Sequence, residues 1–316
     1  MSAMDTDADM ATGWMNLSRR CFIGGLGALS AASLGGCLVR GPAERRPLVR
    51  FGLVTDVHYA IRASDVRPHA TAGLRCYCES LRKLREAVAV FNERGLDFAV
   101  ELGDFKDDSG GREATLAHLD AIERAFAGFS GPRYHVCGNH DFDCLEPAEF
   151  FAHLDNACPM GDGYYAYEVN GVTFIALDAC YDTALRHYSR NNPWTDANVP
   201  PQELDWLARR LGDAPGPVVV FCHQRLDPAG EARHVVRNAE AVRALLERSG
   251  KVKTVFTGHQ HVGGWCKVGG IAYYSLVGLV CGSGPAENSF AEAAVYEDGS
   301  CSVTGWKNAA DTWPLK

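Results

Sequence analysis

Five short apolar segments, each running directly into a cluster of polar residues, constrain this chain more than any other feature. Asp56-Val57-His58 follows the run 49–55, and Gly103-Asp104 with Asp107 follows 98–102. Gly138-Asn139-His140-Asp141 follows 134–137, a single His223 follows 217–221, and Gly258-His259-Gln260-His261 follows 252–256. Core packing asks for apolar side chains, so carboxylates and imidazoles at five strand exits mark chemistry. Between the runs lie stretches of helical period. Leu81, Leu84, Val88 and Phe91 share one face of 79–93, which Gly95 closes, and further helices are expected over 113–126, 202–211 and 239–247. Alternation of strand and helix predicts a parallel α/β sheet with its reactive groups at the strand carboxyl ends.

The pattern changes near residue 164. Two apolar runs, 164–169 and 172–177, flank Asn170-Gly171, the dipeptide suited to a tight hairpin turn. A long polar stretch, 181–200, carries Trp194 and reads as a substrate-facing or lid segment. Runs at 271–277, 293–296 and 302–305 read as antiparallel strands. Residues 49–316 are expected to form one domain.

The N-terminus belongs to another category. Ser18-Arg19-Arg20-Cys21-Phe22-Ile23 is a twin-arginine pattern, and the apolar run 22–34 is too short to span a bilayer. Residues 1–36 therefore read as a twin-arginine signal segment, and 37–48 as a tether. Leu34-Gly35-Gly36-Cys37 resembles a lipobox, in which Cys37 would carry a lipid anchor; plain cleavage nearby is the alternative. The expected partner is the twin-arginine export machinery, and the expected location is the periplasm or the outer face of the membrane. Twelve cysteines would suit disulfides in an exported protein, yet Cys137 and Cys222 end apolar strands and read as buried thiols. The pairing of the rest is open. A net charge of −8 argues against a polyanion-binding surface, so no nucleic acid is expected as partner. A small phosphorylated molecule stays compatible, because metal ions reverse the sign of an acidic site locally.

The ordered series D-x-H, GD-x-x-D, GNHD, H and GH-x-H resembles the calcineurin-like metallophosphoesterase family over roughly residues 49–305. Arg75-Cys76-Tyr77 and the stretch 234–238 resemble a narrower group, alkaline-phosphatase-like or related to ADP-ribose pyrophosphatases. The resemblance implies a four-layer α-β-β-α sandwich of two mixed sheets flanked by helices. It also implies two divalent or trivalent metal ions (Mn, Fe, Zn or Co). Asp56, His58 and His261 would hold one metal, Asp104 would bridge, and Asn139, His223 and His259 would complete the second. The residue types suit that allocation: a carboxylate can bridge two cations, imidazole suits these metals, and a neutral amide oxygen leaves one metal more electrophilic. A water bridging the pair would be acidified to hydroxide and attack phosphorus in line.

His140 remains after the ligands are counted. In the family it faces the leaving group, with Asp141 orienting the imidazole. Asp107 reads as a carboxylate behind the ligands; its position lacks the tyrosine of purple acid phosphatases, which disfavours a tyrosinate-bound ferric site. Tyr59, Arg225 and Gln260, with Lys106 and Gln224, adjoin the motifs as candidate substrate contacts. His118 and His153 read as helix-surface residues. The function expected is a metal-dependent hydrolase of phosphoric esters. A cyclic-nucleotide or nucleoside-diphosphate phosphodiesterase or a nuclease of the same fold is the second reading, and a non-catalytic, metal-containing envelope binding protein the third.

Overall fold

The first strand, β1 (Val49–Val54), is buried along almost its whole length, as a strand covered on both faces must be. It belongs to a computed structural model in which residues 45–66, 73–190 and 192–313 are described. The twin-arginine pattern, the apolar run and Cys37 lie outside the described residues. Residues from Arg45 onward belong to a single compact unit. The last tether residues dock on it: Leu48 N–H donates to Val295 O at 2.7 Å, and the Arg45 guanidinium lies 4.6 Å from the Tyr296 ring centre.

In chain order come β2 (Asp65–Val66), β3 (Leu74–Arg75), α1 (Ser80–Glu93), β4 (Phe98–Glu101), α2 (Arg112–Phe126), β5 (Arg133–His135) and the short α3 (Pro147–Ala152). The hairpin β6 (Tyr165–Val169) and β7 (Val172–Ala176) precedes α4 (Pro201–Asp213), β8 (Val218–Phe221), α5 (Ala239–Ser249) and β9 (Val252–Thr257). The last strands are β10 (Val262–Val268), β11 (Ile271–Val277), β12 (Ser289–Val295) and β13 (Cys301–Lys307).

One sheet has the order β13-β12-β1-β4-β5, parallel from β1 to β5 and antiparallel at β12 and β13. The other has the order β10-β11-β9-β8-β7-β6, parallel from β11 to β7, with antiparallel edges. Aromatic side chains fill the space between them. Phe51 of β1 stacks on Phe98 at 4.8 Å and meets the edges of Phe174, Phe221 and Phe256 from the opposite sheet at 5.5–5.8 Å. α1 and α2 cover the outer face of the first sheet. Leu207 and Leu211 of α4, with Val242 and Leu246 of α5, cover Val220 and Val255 of the second. Two mixed sheets flanked by helices make the four layers expected.

One strand assignment needs correction. Residues 271–277 are antiparallel to β10 on one side, as expected, but parallel to β9 on the other, because the unpredicted strand β10 first turns the chain back. β10 begins Val-Gly-Gly and alternates between half-buried and exposed, so it lacks the apolar run that marked the other strands. Cys137 and Cys222 are buried thiols, as expected.

Candidate active site

The carboxyl ends of β1, β4, β5, β8 and β9 meet at one rim. Pairing of β1 with β4 continues past both strands, through Asp56 N–H to Gly103 O (3.0 Å) and His58 N–H to Asp104 O (2.8 Å). On the other sheet Gly258 N–H donates to His223 O at 2.9 Å. The chain then bends sharply: Asp56, His58, Asp104, His259 and His261 have φ of 49, 45, 59, 66 and 23°. Each such non-glycine residue costs about 1–2 kcal/mol. Five of them in one cluster mark a place where side-chain direction outweighs backbone comfort. Gly103 shares the left-handed conformation (φ 94°) without that cost, whereas Gly138 is extended and serves close approach, since a Cβ there would overlap the Asp104 nitrogen.

All seven side chains expected to be metal ligands are buried, and the six Asp and His side chains among them converge. Asp56 Oδ1 lies 3.1 Å from His261 Nε2 and 3.7 Å from His58 Nε2. Asp104 Oδ2 lies 3.5 Å from His58 Nε2 and 3.2 Å from His223 Nε2, between the two halves. His259 Nδ1 is 3.2 Å from His223 Nε2. Asp56-His58-His261 and Asp104-His223-His259 each present ligand atoms within 4.8 Å of one another. Two buried oxygens, Asp56 Oδ1 and Asn139 Oδ1, have no hydrogen-bond partner. The other Asp56 oxygen is held by Thr55 Oγ1 and His259 N–H, at 2.8 and 3.0 Å. Two groups of carboxylate oxygens and imidazole nitrogens, with a buried amide oxygen left unsatisfied, fit a pair of cations.

The electrostatics agree. Burial alone would raise the Asp56 and Asp104 carboxyls, but the imidazoles of His261 and His223 hold both well below the usual range. Burial, with Arg75 adjoining, pushes His261 down to about 4, which favours its neutral form. His223 moves the other way: Asp104 outweighs burial and pushes it up to about 10, so this spot favours a positive charge, proton or metal.

His140 borders the cluster, its ring 4.8 Å from that of His58. The expected orienting partner is wrong. His140 Nδ1 bonds Asp143 Oδ2 at 2.7 Å, while the Asp141 carboxylate accepts from the backbone N–H groups of Asp104, Phe105 and Gly138 at 2.8–3.0 Å. In this tight turn the side chain of Asp141 faces the backbone of the β4 exit, and three residues on from His140 the chain has come round beside the imidazole. Burial opposes the His140 charge, yet Asp104, Asp107 and Asp143 push it up to about 9. Asp107 lies behind a ligand as expected, its Oδ2 3.3 Å from His58 Nδ1.

The candidate substrate contacts fare differently. Arg225 is fully engaged: Nε and Nη2 grip Asp227 at 2.9 and 2.8 Å, and Nη1 donates to Gln260 Oε1 at 2.7 Å. A guanidinium this buried requires such a counter-charge, so neither Arg225 nor the Gln260 oxygen is available to a phosphate. Tyr59 is buried, its ring 5.9 Å from His118. Lys106 Nζ caps the carbonyls of His140 and Asp143, and Gln224 is buried beside Cys180. His118 is not on the surface: the 59–61 segment covers it, and Ile61 N–H donates to its Nε2 at 3.3 Å.

Residues that the sequence marked only as family resemblance or as part of a substrate-facing segment, or left without a role, now border the cluster. Arg75 Nη2 lies 3.2 Å from His261 Nε2. Trp194 sets its ring against His259 at 5.4 Å, and His234 joins them at 5.1 Å. His187 ties the Trp194 segment to the end of β7 through Asp178 Oδ2, at 2.8 Å. A cavity of about 520 Å³ opens beside His261, lined by Leu74, Val262, Val277, Cys281 and Gly282 and closed by Glu287 and Asn308. Arg75, Trp194 and His234 lay in stretches the sequence had marked, and Asp143, at i+3 from His140, offered a local spacing that went unread.

Fold and site together define a metal-dependent hydrolase of phosphoric esters built on two stacked sheets. Residues 49–263 match the calcineurin-like phosphoesterase family, and the chain belongs to that family. It is 28% identical over 297 residues to a manganese-dependent ADP-ribose/CDP-alcohol diphosphatase of Arabidopsis thaliana, covering 82% of this chain and 94% of that protein. A 3′,5′-cyclic adenosine monophosphate phosphodiesterase of Escherichia coli is 25% identical over 224 residues, 70% of this chain and 72% of that one. Among solved structures, a dimetal phosphatase from Danio rerio superposes with a TM-score of 0.73 at 24% identity, covering 84% of this chain and 98% of that one.

Proposed function

We propose that the protein is a manganese-dependent diphosphatase acting on small nucleoside diphosphate derivatives of the ADP-ribose and CDP-alcohol type. The carrying observation is the buried cluster of seven strand-end side chains with two orphaned oxygens, supported by near full-length similarity to the plant diphosphatase. Asp56, His58 and His261 would hold one metal, Asn139, His223 and His259 the other, and Asp104 would be shared. Bound there, the two ions would supply Lewis acidity and a nucleophile at neutral pH.

The chain's own residues do the rest. His140, held by Asp143, is the proton donor to the leaving oxygen, a role its raised pKa suits. Arg75, within reach of His261 Nε2, is within reach of an anion at the same place and so serves as a phosphate anchor. The cavity beside His261 has room for the half of the substrate that does not react. Trp194 offers a face on the opposite side.

The test is a substrate panel on metal-stripped protein reloaded with Mn²⁺: ADP-ribose, CDP-choline, 3′,5′-cyclic AMP and bis-p-nitrophenyl phosphate. ADP-ribose or CDP-choline should exceed cyclic AMP in kcat/KM by at least about tenfold. Preference for cyclic AMP would transfer the assignment to the phosphodiesterase reading, and no turnover of any of them would favour a binding protein. The twin-arginine pattern supports export, with Cys37 as lipid anchor. Fractionation of cells making the full chain and Cys37→Ala tests this: loss of membrane association only in the variant is expected, and a cytoplasmic full chain defeats it.

A further inference from the structure

An imidazole that binds metal through one nitrogen must keep its proton on the other, so the partner of that second nitrogen decides whether the lone pair is available. Two of the four ligand histidines have partners that only accept. His58 Nδ1 faces the Asp107 carboxylate at 3.3 Å, and His223 Nδ1 faces Leu102 O at 2.8 Å. His261 differs: its Nδ1 lies 3.3 Å from the sulphur of Cys281. A thiol both donates and accepts. Donation from sulphur would force the proton onto Nε2, the nitrogen 3.1 Å from Asp56 Oδ1, and abolish it as a ligand.

We propose that Cys281 is a positioning residue, whose sulphur accepts the His261 Nδ1 proton and so holds the Nε2 lone pair toward the metal on the Asp56-His58 side. The inference rests on the ligand assignment under Proposed function. The sulphur is held in place by the turn around it. Gly278 N–H donates to His261 O at 2.9 Å and Val280 N–H to Asp56 O at 3.0 Å, so the turn is sewn to the backbone of two ligands. From behind, the buried Lys83 ammonium reaches the carbonyls of Leu279 (3.0 Å), Cys281 (2.7 Å) and Gly282 (2.7 Å). A buried cation meeting several carbonyls is an expensive anchor, and it makes sense where a neighbouring atom must stay within a few tenths of an ångström.

The experiment is Mn²⁺ binding to the metal-stripped full chain, by equilibrium dialysis with metal analysis, together with the spin-coupled EPR signal of a manganese pair. Wild type, Cys281→Ala, Cys281→Ser and Cys281→Val are compared. Wild type should bind two ions and give the coupled signal. Cys281→Ala should bind one of the two about 10–100-fold more weakly and lose the coupling at limiting metal, while the other ion is unaffected. Serine, which can also accept the proton, should restore most of the affinity, whereas Cys281→Val, which fills the space but cannot accept, should bind no better than Cys281→Ala; full rescue by valine would overturn the proposal. Two ions bound with wild-type affinities in Cys281→Ala would overturn the proposal and leave the ligand assignment standing. A wild-type chain that fails to bind two ions would sink the assignment and this inference with it. Should Cys281→Ala fail to fold, failure of Cys281→Ser to retain both ions would itself overturn the proposal.

Discussion

The two halves of the candidate ligand cluster each bring two imidazoles but are not alike. The Asp56-His58-His261 half has its own carboxylate beside the shared Asp104, and all three residues carry left-handed backbone. The Asn139-His223-His259 half has a neutral amide in place of a carboxylate, and only His259 is strained. Support differs as well. Behind the first half the Asp107 carboxylate lies 3.3 Å from His58 and the Cys281 sulphur 3.3 Å from His261, while behind the second His223 meets a carbonyl and the His259 ring lies against Trp194 and His234. The lesson is one of division of labour. On the proposed ligand assignment, the greater negative charge would make the first half the tighter cation position, and the neutral amide would leave an ion in the second half the stronger Lewis acid.

Asp104 is the one residue both halves use, and its loss should do the most damage. Asp104→Ala should cut turnover by roughly a thousandfold or more and leave at most one manganese bound, measured by initial rates and metal analysis. Next comes the leaving-group side. His140→Asn should lower kcat about 10²–10⁴-fold with metal content intact, and Asp143→Asn should reproduce a smaller part of that loss. Asp141→Asn should act on folding, because its carboxylate ties three backbone groups. A cost of about 1–3 kcal/mol, read as a fall in Tm, is expected. If Asp141→Asn instead matched the kinetic loss of Asp143→Asn, the reassignment of the orienting carboxylate would be wrong.

The charge difference between the halves can be tested directly. A manganese titration of wild type should resolve two affinities, and Asn139→Asp, by giving the second half a carboxylate, should bring them together. Unchanged separation would mean that charge is not what distinguishes the halves. The smallest effect concerns an imidazole outside both. His135 lies buried, 3.2 Å from Glu123 and 3.7 Å from Glu101. Burial opposes its charge, but these carboxylates win and push it up to about 9. The ordinary value is about 6.5, so its stabilisation is complete below that pH and is lost as pH rises through about 9. Thermal melts of the metal-stripped chain should therefore lose less stability over that window in His135→Gln than in wild type.

Much of this molecule could be read along the chain. The hairpin around Asn170-Gly171, the helices with apolar residues at 3.6 spacing and the ligand clusters at strand exits are all local patterns, set by neighbours a few residues apart. β10 escaped because its glycines interrupt the run that signals a strand, and with it went the direction of β11. Arg225 escaped for another reason. Beside a motif histidine it suggests a phosphate contact, and only the fold brings it, buried, onto Asp227 and Gln260.

Residue types and their order along the chain, with the family resemblance they carry, were enough to point to a two-sheet hydrolase with seven candidate ligand side chains, because these follow five strands and a strand's exit is a local property. Which acid meets His140, which atom stands behind His261, and which aromatic ring closes over His259 were settled only when the sheets packed. Cys281 and His261 are 20 residues apart, and His259 bonds a carboxylate 203 residues away. Such pairings depend on distances of a few ångströms across separate strands, and no periodicity within one strand contains them.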